Sequence, residues 1–463
     1  MTTRVSTSVE TTRKEIYLLV ARALGDAQAR TPTGRYVALV TRLARSDEAW
    51  LTRMIGWMGR HAELRSLRLA TLAELTQARV ETGATGTRCL LDQCLHRADE
   101  PGELLAYWLQ WYGRAVPQPV KRGVADAAVR LYDELALATY DRPGAPLRFA
   151  DVLALTHPVP QGTTQTAVFH HAIARRRGDL NEIPAALPLL RARRALYWIP
   201  ASRRPALFQR PEAGRMLAEA AMTWPTVQRW LLGTMTGPAW AAVVPSMSYQ
   251  DRLAHLADFD HDGMPDEIAH QVAEEVAEPA AVLRSGVTPL EVFAAMRSVP
   301  GSRWTRALTL AMELSMANVP ALPGRTLVLI DRGDLMAGPA YGGLTRADTA
   351  AMLGAALACR AEHAQIAVLG AACAIVPVLP GQSPLYVLDR LGALGGSTSP
   401  AQAIREHGAG HDRVVVLTHP GQAAEAAEAV TSPGQEHVVT DVTSGWFTAI
   451  PHVEMARTAD WPF

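Results

Sequence analysis

Lysine is almost missing from this chain: apart from Lys14 and Lys121, its 45 basic residues are all arginine. Exposed arginine faces are therefore its ordinary surface, and a run of arginines is not by itself a binding signal. Cysteine is scarce too. Cys89, Cys94, Cys359 and Cys373 have neither metal-ligand spacing nor the density of a disulfide scaffold, which fits a reducing compartment. No uninterrupted apolar run approaches membrane-spanning length, and residues 1–10 lack the apolar core of a signal peptide. The expectation is a cytoplasmic protein with no membrane contact. A Walker loop, a nucleophile elbow and a His-Glu-x-x-His pair are all missing, and His170-His171 has no partnered spacing. The chain reads as a non-enzyme.

What is present is enough apolar material, 48% of 463 residues, to build two or three domains with a substantial core. The net charge is zero. Divided at Gly324, however, the front holds 37 basic and 32 acidic residues and the tail 8 and 13, or +5 against −5. So small an excess does not imply a nucleic-acid partner; local clustering has to decide.

From about residue 10 to 320 the pattern is helical. Leu51, Met54, Ile55 and Met58 fall at i, i+3, i+4 and i+7 behind Ser46-Asp47-Glu48, a cap with an acidic first turn. Leu104, Trp108, Trp111 and Tyr112 repeat the stripe, as do Val124, Ala128, Leu131 and Leu135. Breaks such as Arg142-Pro143-Gly144 separate helices of ten to twenty residues, which suits stacked helical pairs without a strict period. At Leu322-Pro323-Gly324 the character changes. The run Thr326–Ile330 reads as a buried parallel strand, followed by a helix near 344–361, a strand at 366–369, a helix near 385–394 and a strand at 413–417. That alternation predicts a doubly wound parallel sheet. The fold class is thus mainly α with a C-terminal α/β domain, divided as residues 8–322 and 325–463.

In open α/β sheets ligands sit beyond the carboxyl ends of the strands, here Asp331, Gly395–Thr398 and Thr418-His419. The segment Thr326–Asp331 resembles the first strand of a von Willebrand factor A domain, whose Asp-x-Ser-x-Ser motif supplies oxygens to a divalent ion. The resemblance implies a magnesium site, but the motif reads Asp331-Arg332-Gly333-Asp334-Leu335, and His419 stands where a later acid is expected. Asp331 and Thr398 are the ligands that remain, with Ser397 and Asp334 as displaced substitutes. With so few ligands the expectation is no bound cofactor, and a domain that packs or docks onto protein partners.

Upstream, residues 97–108, Tyr112-Gly-Arg114, residues 119–126 and 149–158 look like the TROVE module of bacterial Ro proteins, and residues 240–249 and 317–324 extend the likeness to nearly the whole chain. The resemblance implies a HEAT-like helical-repeat ring followed by the A domain. It also implies a protein of RNA quality control that holds small non-coding RNA, Y-RNA-like or misfolded. Lys121, Arg122, Arg148 and His157 are the RNA-facing residues the resemblance implies. The arginine runs add Arg175, Arg176, Arg177, Arg193 and Arg194, followed by Arg203, Arg204, Arg210 and Arg215 against few acids.

One stretch departs from the family pattern. Where a hole-lining helix is expected to carry cations, the chain reads Leu253-Ala-His-Leu-Ala-Asp258, and Asp260 and Asp262 lower the attraction for phosphate further. Asp258-Phe-Asp-His-Asp-Gly263 also imitates the opening of a calcium loop. Its twelfth position is Ala269 and Pro265 interrupts it, so it reads as a helix end followed by a new start at Asp266-Glu267. The alternative to an RNA holder is a divergent relative that serves as an assembly scaffold with little RNA or metal.

Overall fold

The computed structural model describes residues 2–179, 182–379, 381–392, 395–396, 398–429 and 436–463. They form two compact units, the first within residues 2–23, 27–235 and 461–463 and the second within 24–26 and 236–460.

The first unit is helical. It is built from α1 (Thr2–Gly25), α2 (Gly34–Ser46), α3 (Glu48–Met58), α4 (Arg65–Glu81), α5 (Thr87–Cys94) and α6 (Glu100–Trp111). There follow α7 (Gln118–Leu131), α8 (Glu134–Tyr140), α9 (Phe149–Thr156), α10 (Gly162–Arg177), α11 (Pro188–Tyr197), α12 (Ala213–Glu219) and α13 (Trp224–Leu231). The cap anticipated before α3 is made by Asp47, which accepts from the Trp50 amide at 3.3 Å, and the predicted stripe from Leu51 to Met58 is buried. Two predicted core positions are not: Trp111 and Leu135 are more than half exposed.

Helix α4 is buried almost all round and packs on α2, α3, α5 and α6. Its buried Glu74 is satisfied by three hydroxyls, from Thr41 at 2.7 Å, Tyr107 at 2.8 Å and Tyr112 at 2.5 Å. A carboxylate without such donors would be costly there. Trp461 and Phe463 return to this unit and pack their rings on Tyr17 and Trp50, at centroid distances of 5.2–6.0 Å.

The second unit opens with α14 (Gly237–Val243), α15 (Tyr249–Ala254), α16 (Leu256–His261), α17 (Asp266–Val276), α18 (Pro279–Ser285), α19 (Pro289–Ser298) and α20 (Thr305–Ser315). The acids of the calcium-like stretch are used internally. Asp262 accepts from the Trp240 indole at 2.7 Å and Asp260 from that of Trp304 at 2.9 Å, with α17 starting at Asp266 as expected.

The chain then forms β1 (Leu322–Asp331), α21 (Arg346–Arg360), β2 (Ala361–Leu369), β3 (Cys373–Pro377), α22 (Pro384–Leu388) and α23 (Pro400–His407). It ends with β4 (Arg413–Leu417), α24 (Ala423–Ala429), β5 (Glu436–Val439) and α25 (Trp446–Thr458). Strand order is β3-β2-β1-β4-β5. The expectation of an all-parallel sheet is corrected at one edge: β3 turns back on β2 antiparallel, because a short turn leaves no room for a crossover helix. β1, at the centre, is buried from Thr326 to Asp331. The sheet starts where the sequence changes character, yet the helices from Thr236 onward share its compact unit.

Candidate nucleic-acid interface

Three of the residues expected to face RNA come together. Lys121 and Arg122 in the first turns of α7, and His157 after α9, line one open cleft of about 800 Å³ with Gln118, Thr156 and Gln161. Arg122 and His157 are exposed, and neither the Lys121 nor the Arg122 side chain has a hydrogen-bond or ion-pair partner among the described residues. His157 caps α9 in the left-handed region, φ 50°, its amide donating to the Leu153 carbonyl at 2.9 Å. That conformation is uncommon for a residue with a Cβ, and Pro158 cannot continue the helix.

The cleft exists because α7 lies close to α5. A Cβ on Gly123 would sit 2.8 Å from both the Arg88 carbonyl oxygen and the Leu91 Cβ, so only glycine permits this approach. The contact brings in two cations that sequence reasoning did not single out. Arg88 pairs bidentately with Asp126 at 2.5 and 2.9 Å, and this hydrogen bonding raises its pKa. Arg130 donates to Asp92 at 3.1 Å and to the Leu95 carbonyl at 2.8 Å. Four cations thus face two carboxylates, and the unneutralised charge falls on Lys121 and Arg122. The repeat Arg122, Asp126, Arg130 at i, i+4, i+8 was the signal available for this face.

The other predicted cations are placed differently. Arg148 does not face outward: its guanidinium donates to the buried Asp141 at 2.5 and 3.2 Å, which raises its pKa. Arg175 lies 3.8 Å from the same carboxylate and donates to the Leu137 carbonyl at 3.3 Å, while burial lowers its pKa. Arg176 pairs with Asp151 at 3.0 Å, and Arg193 donates to the Ala138 carbonyl at 2.9 Å. Arg148, Arg175 and Arg193 are thus tied into the fold while the Arg176–Asp151 pair is exposed, so the arginines do not form one continuous phosphate-facing patch. Arg177 is exposed and has no partner among the described residues. Arg194 lies over the Trp198 ring, 5.1 Å from its centroid.

In the α/β part, the residues at the magnesium-site position do not fit the ion. Asp331 already accepts from the Gly333 amide at 2.8 Å and the Thr418 hydroxyl at 2.7 Å. The Thr398 hydroxyl donates to the Gly370 carbonyl at 2.8 Å. Gly333 and Leu335 bring no oxygen side chain, and Arg332 adds a cation whose Nε is buried without a partner. An octahedral ion that gives up water reluctantly finds too few free oxygens here. Among the described residues no cluster of three metal-ligating side chains occurs, and Ser397 lies outside them.

A helical array followed by an α/β domain with its sheet centred on β1 defines the fold as a helical-repeat protein carrying an A-type domain. It is the fold of a bacterial Ro protein. The chain is similar to the crystal structure of the Deinococcus radiodurans RO (RSR) protein at 18% identity, over 92% of this chain and 94% of that one, with a TM-score of 0.68. No family model and no curated protein matches the sequence.

Proposed function

We propose that this protein is a Ro-like RNA-holding protein, without catalytic activity, that grips structured non-coding or misfolded RNA. The cleft between α5, α7 and the end of α9 contacts the phosphates. The observation that carries this reading is the placement of Lys121, Arg122 and His157 around one open concavity with two cations left unneutralised. Phosphate contacts of this kind supply affinity and position without reading sequence. The Ro fold supports the same reading. The internal pairing of Arg148, Arg175 and Arg193 favours the competing reading, a scaffold that meets protein partners through its A-type domain.

One experiment separates them. The purified chain is expected to carry RNA, seen as absorbance at 260 nm that nuclease and high salt remove. Changing Lys121→Glu and Arg122→Glu together should weaken a structured RNA at least tenfold and lower the salt slope by about two. A wild-type chain free of RNA and indifferent to a hairpin would leave the scaffold reading standing.

A further inference from the structure

A second open cleft, of about 420 Å³, lies along α11 and is lined by Pro188, Arg191, Ala192, Arg194, Ala195 and Trp198. Trp198 is 75% exposed and its neighbour Tyr197 49%. Leaving an indole in water forgoes the stabilisation that its burial would bring. Arg194 lies over the Trp198 ring, and Arg191, one turn earlier, is exposed, its side chain without a partner among the described residues. Among the described residues no carboxylate lines this cleft. The cleft of Lys121 holds Asp92 and Asp126, and that of Arg252 and Arg284 holds Glu275 and Glu278.

The helix that carries the group is anchored to its neighbours. The Leu190 amide donates to Glu134 at 2.8 Å, the Trp230 indole to the Leu196 carbonyl at 3.1 Å, and the Trp198 amide to the Arg194 carbonyl at 3.0 Å. Arg193 is tied to Ala138, and Arg191, Arg194 and Trp198 line the open side of the helix. Preorganisation of this kind reduces the ordering cost of binding.

We propose that α11 is a stacking platform for unpaired nucleotides of the bound RNA. A base lies on the face of Trp198 that Arg194 leaves open, and Arg191 holds a flanking phosphate. This rests on the RNA-holding reading and adds a second contact, on α11, apart from the cleft of Lys121. Stacking needs only a flat ring and nearby cations. The charged residues that line the cleft beside Trp198 are both arginines, a setting that suits a phosphate-bearing ligand.

The test uses the full chain with two fluorescent probes, a short oligouridylate and a blunt RNA hairpin. Trp198→Ala should weaken the oligouridylate about tenfold, leave the hairpin within about twofold, and leave the melting temperature unchanged because the side chain is exposed. Trp198→Phe should restore most of the affinity. Arg191→Ala should weaken the oligouridylate and lower its salt slope by about one. Oligouridylate affinity that Trp198→Ala leaves unchanged would overturn the platform alone, provided the hairpin still depends on Lys121 and Arg122. Absence of binding to both probes would overturn the platform together with the RNA reading. A protein complex lost in Trp198→Ala while RNA binding stays intact would overturn the platform in favour of a protein partner.

Discussion

Two sets of arginines in the first unit look alike in sequence and differ in what they face. Around Asp141, the guanidinium of Arg148 and, at longer range, that of Arg175 converge on one buried carboxylate, so their charge is absorbed inside the fold. In the α5/α7 cleft, two carboxylates occupy Arg88 and Arg130 and leave Lys121 and Arg122 over. The difference shows that a positive surface depends on where the acids lie in space. Asp331 repeats the lesson: its oxygens are taken by Gly333 and Thr418, as those of Asp141 are by Arg148 and the Phe149 amide.

The comparison can be broken most decisively at Asp141. Asp141→Ala leaves the part-buried Arg148 without its counter-charge and should cost about 3–5 kcal/mol, read from denaturant unfolding. A loss below about 1 kcal/mol would mean that the brace carries little. On the cleft side, Gly123→Ala forces a methyl against the Arg88 carbonyl and Leu91, and should cost about 1–3 kcal/mol while weakening hairpin binding. Intact binding in a destabilised variant would detach the cleft geometry from function.

Arg176→Glu is the milder probe. Its pair with Asp151 is largely exposed, so stability should change by no more than about 1 kcal/mol, and hairpin affinity should fall less than in Arg122→Glu. Equal losses would restore the arginine run as a phosphate surface. The smallest effect is expected from magnesium, because only an ion that binds the folded state raises its melting temperature. A clear upward shift would show that Asp331 exchanges its hydrogen bonds for a metal.

Much of the fold was legible. The Asp47 cap, the stripe from Leu51 to Met58, the strand from Thr326 to Asp331 and the helix start at Asp266 follow from local periodicity and capping chemistry, which act over a few residues. The antiparallel β3 was missed because a five-residue strand joined by a short turn carries little periodic signal. Trp111 and Leu135 were misplaced because a helical stripe indicates which face is apolar and not whether another element covers it. Of the candidate site, Lys121, Arg122 and His157 were legible through the family resemblance, while Arg88 and Arg130 became visible only once Gly123 had brought α5 against α7.

By itself the sequence determined the two kinds of architecture, the shortage of lysine and of metal ligands, and the positions at which cations and rings are available. Only the tertiary structure decided which cations remain available. An ion pair forms across the 34 residues between Asp141 and Arg175, or the 38 between Arg88 and Asp126, when packing brings the helices together, and Coulomb energy depends on that separation in space and not along the chain.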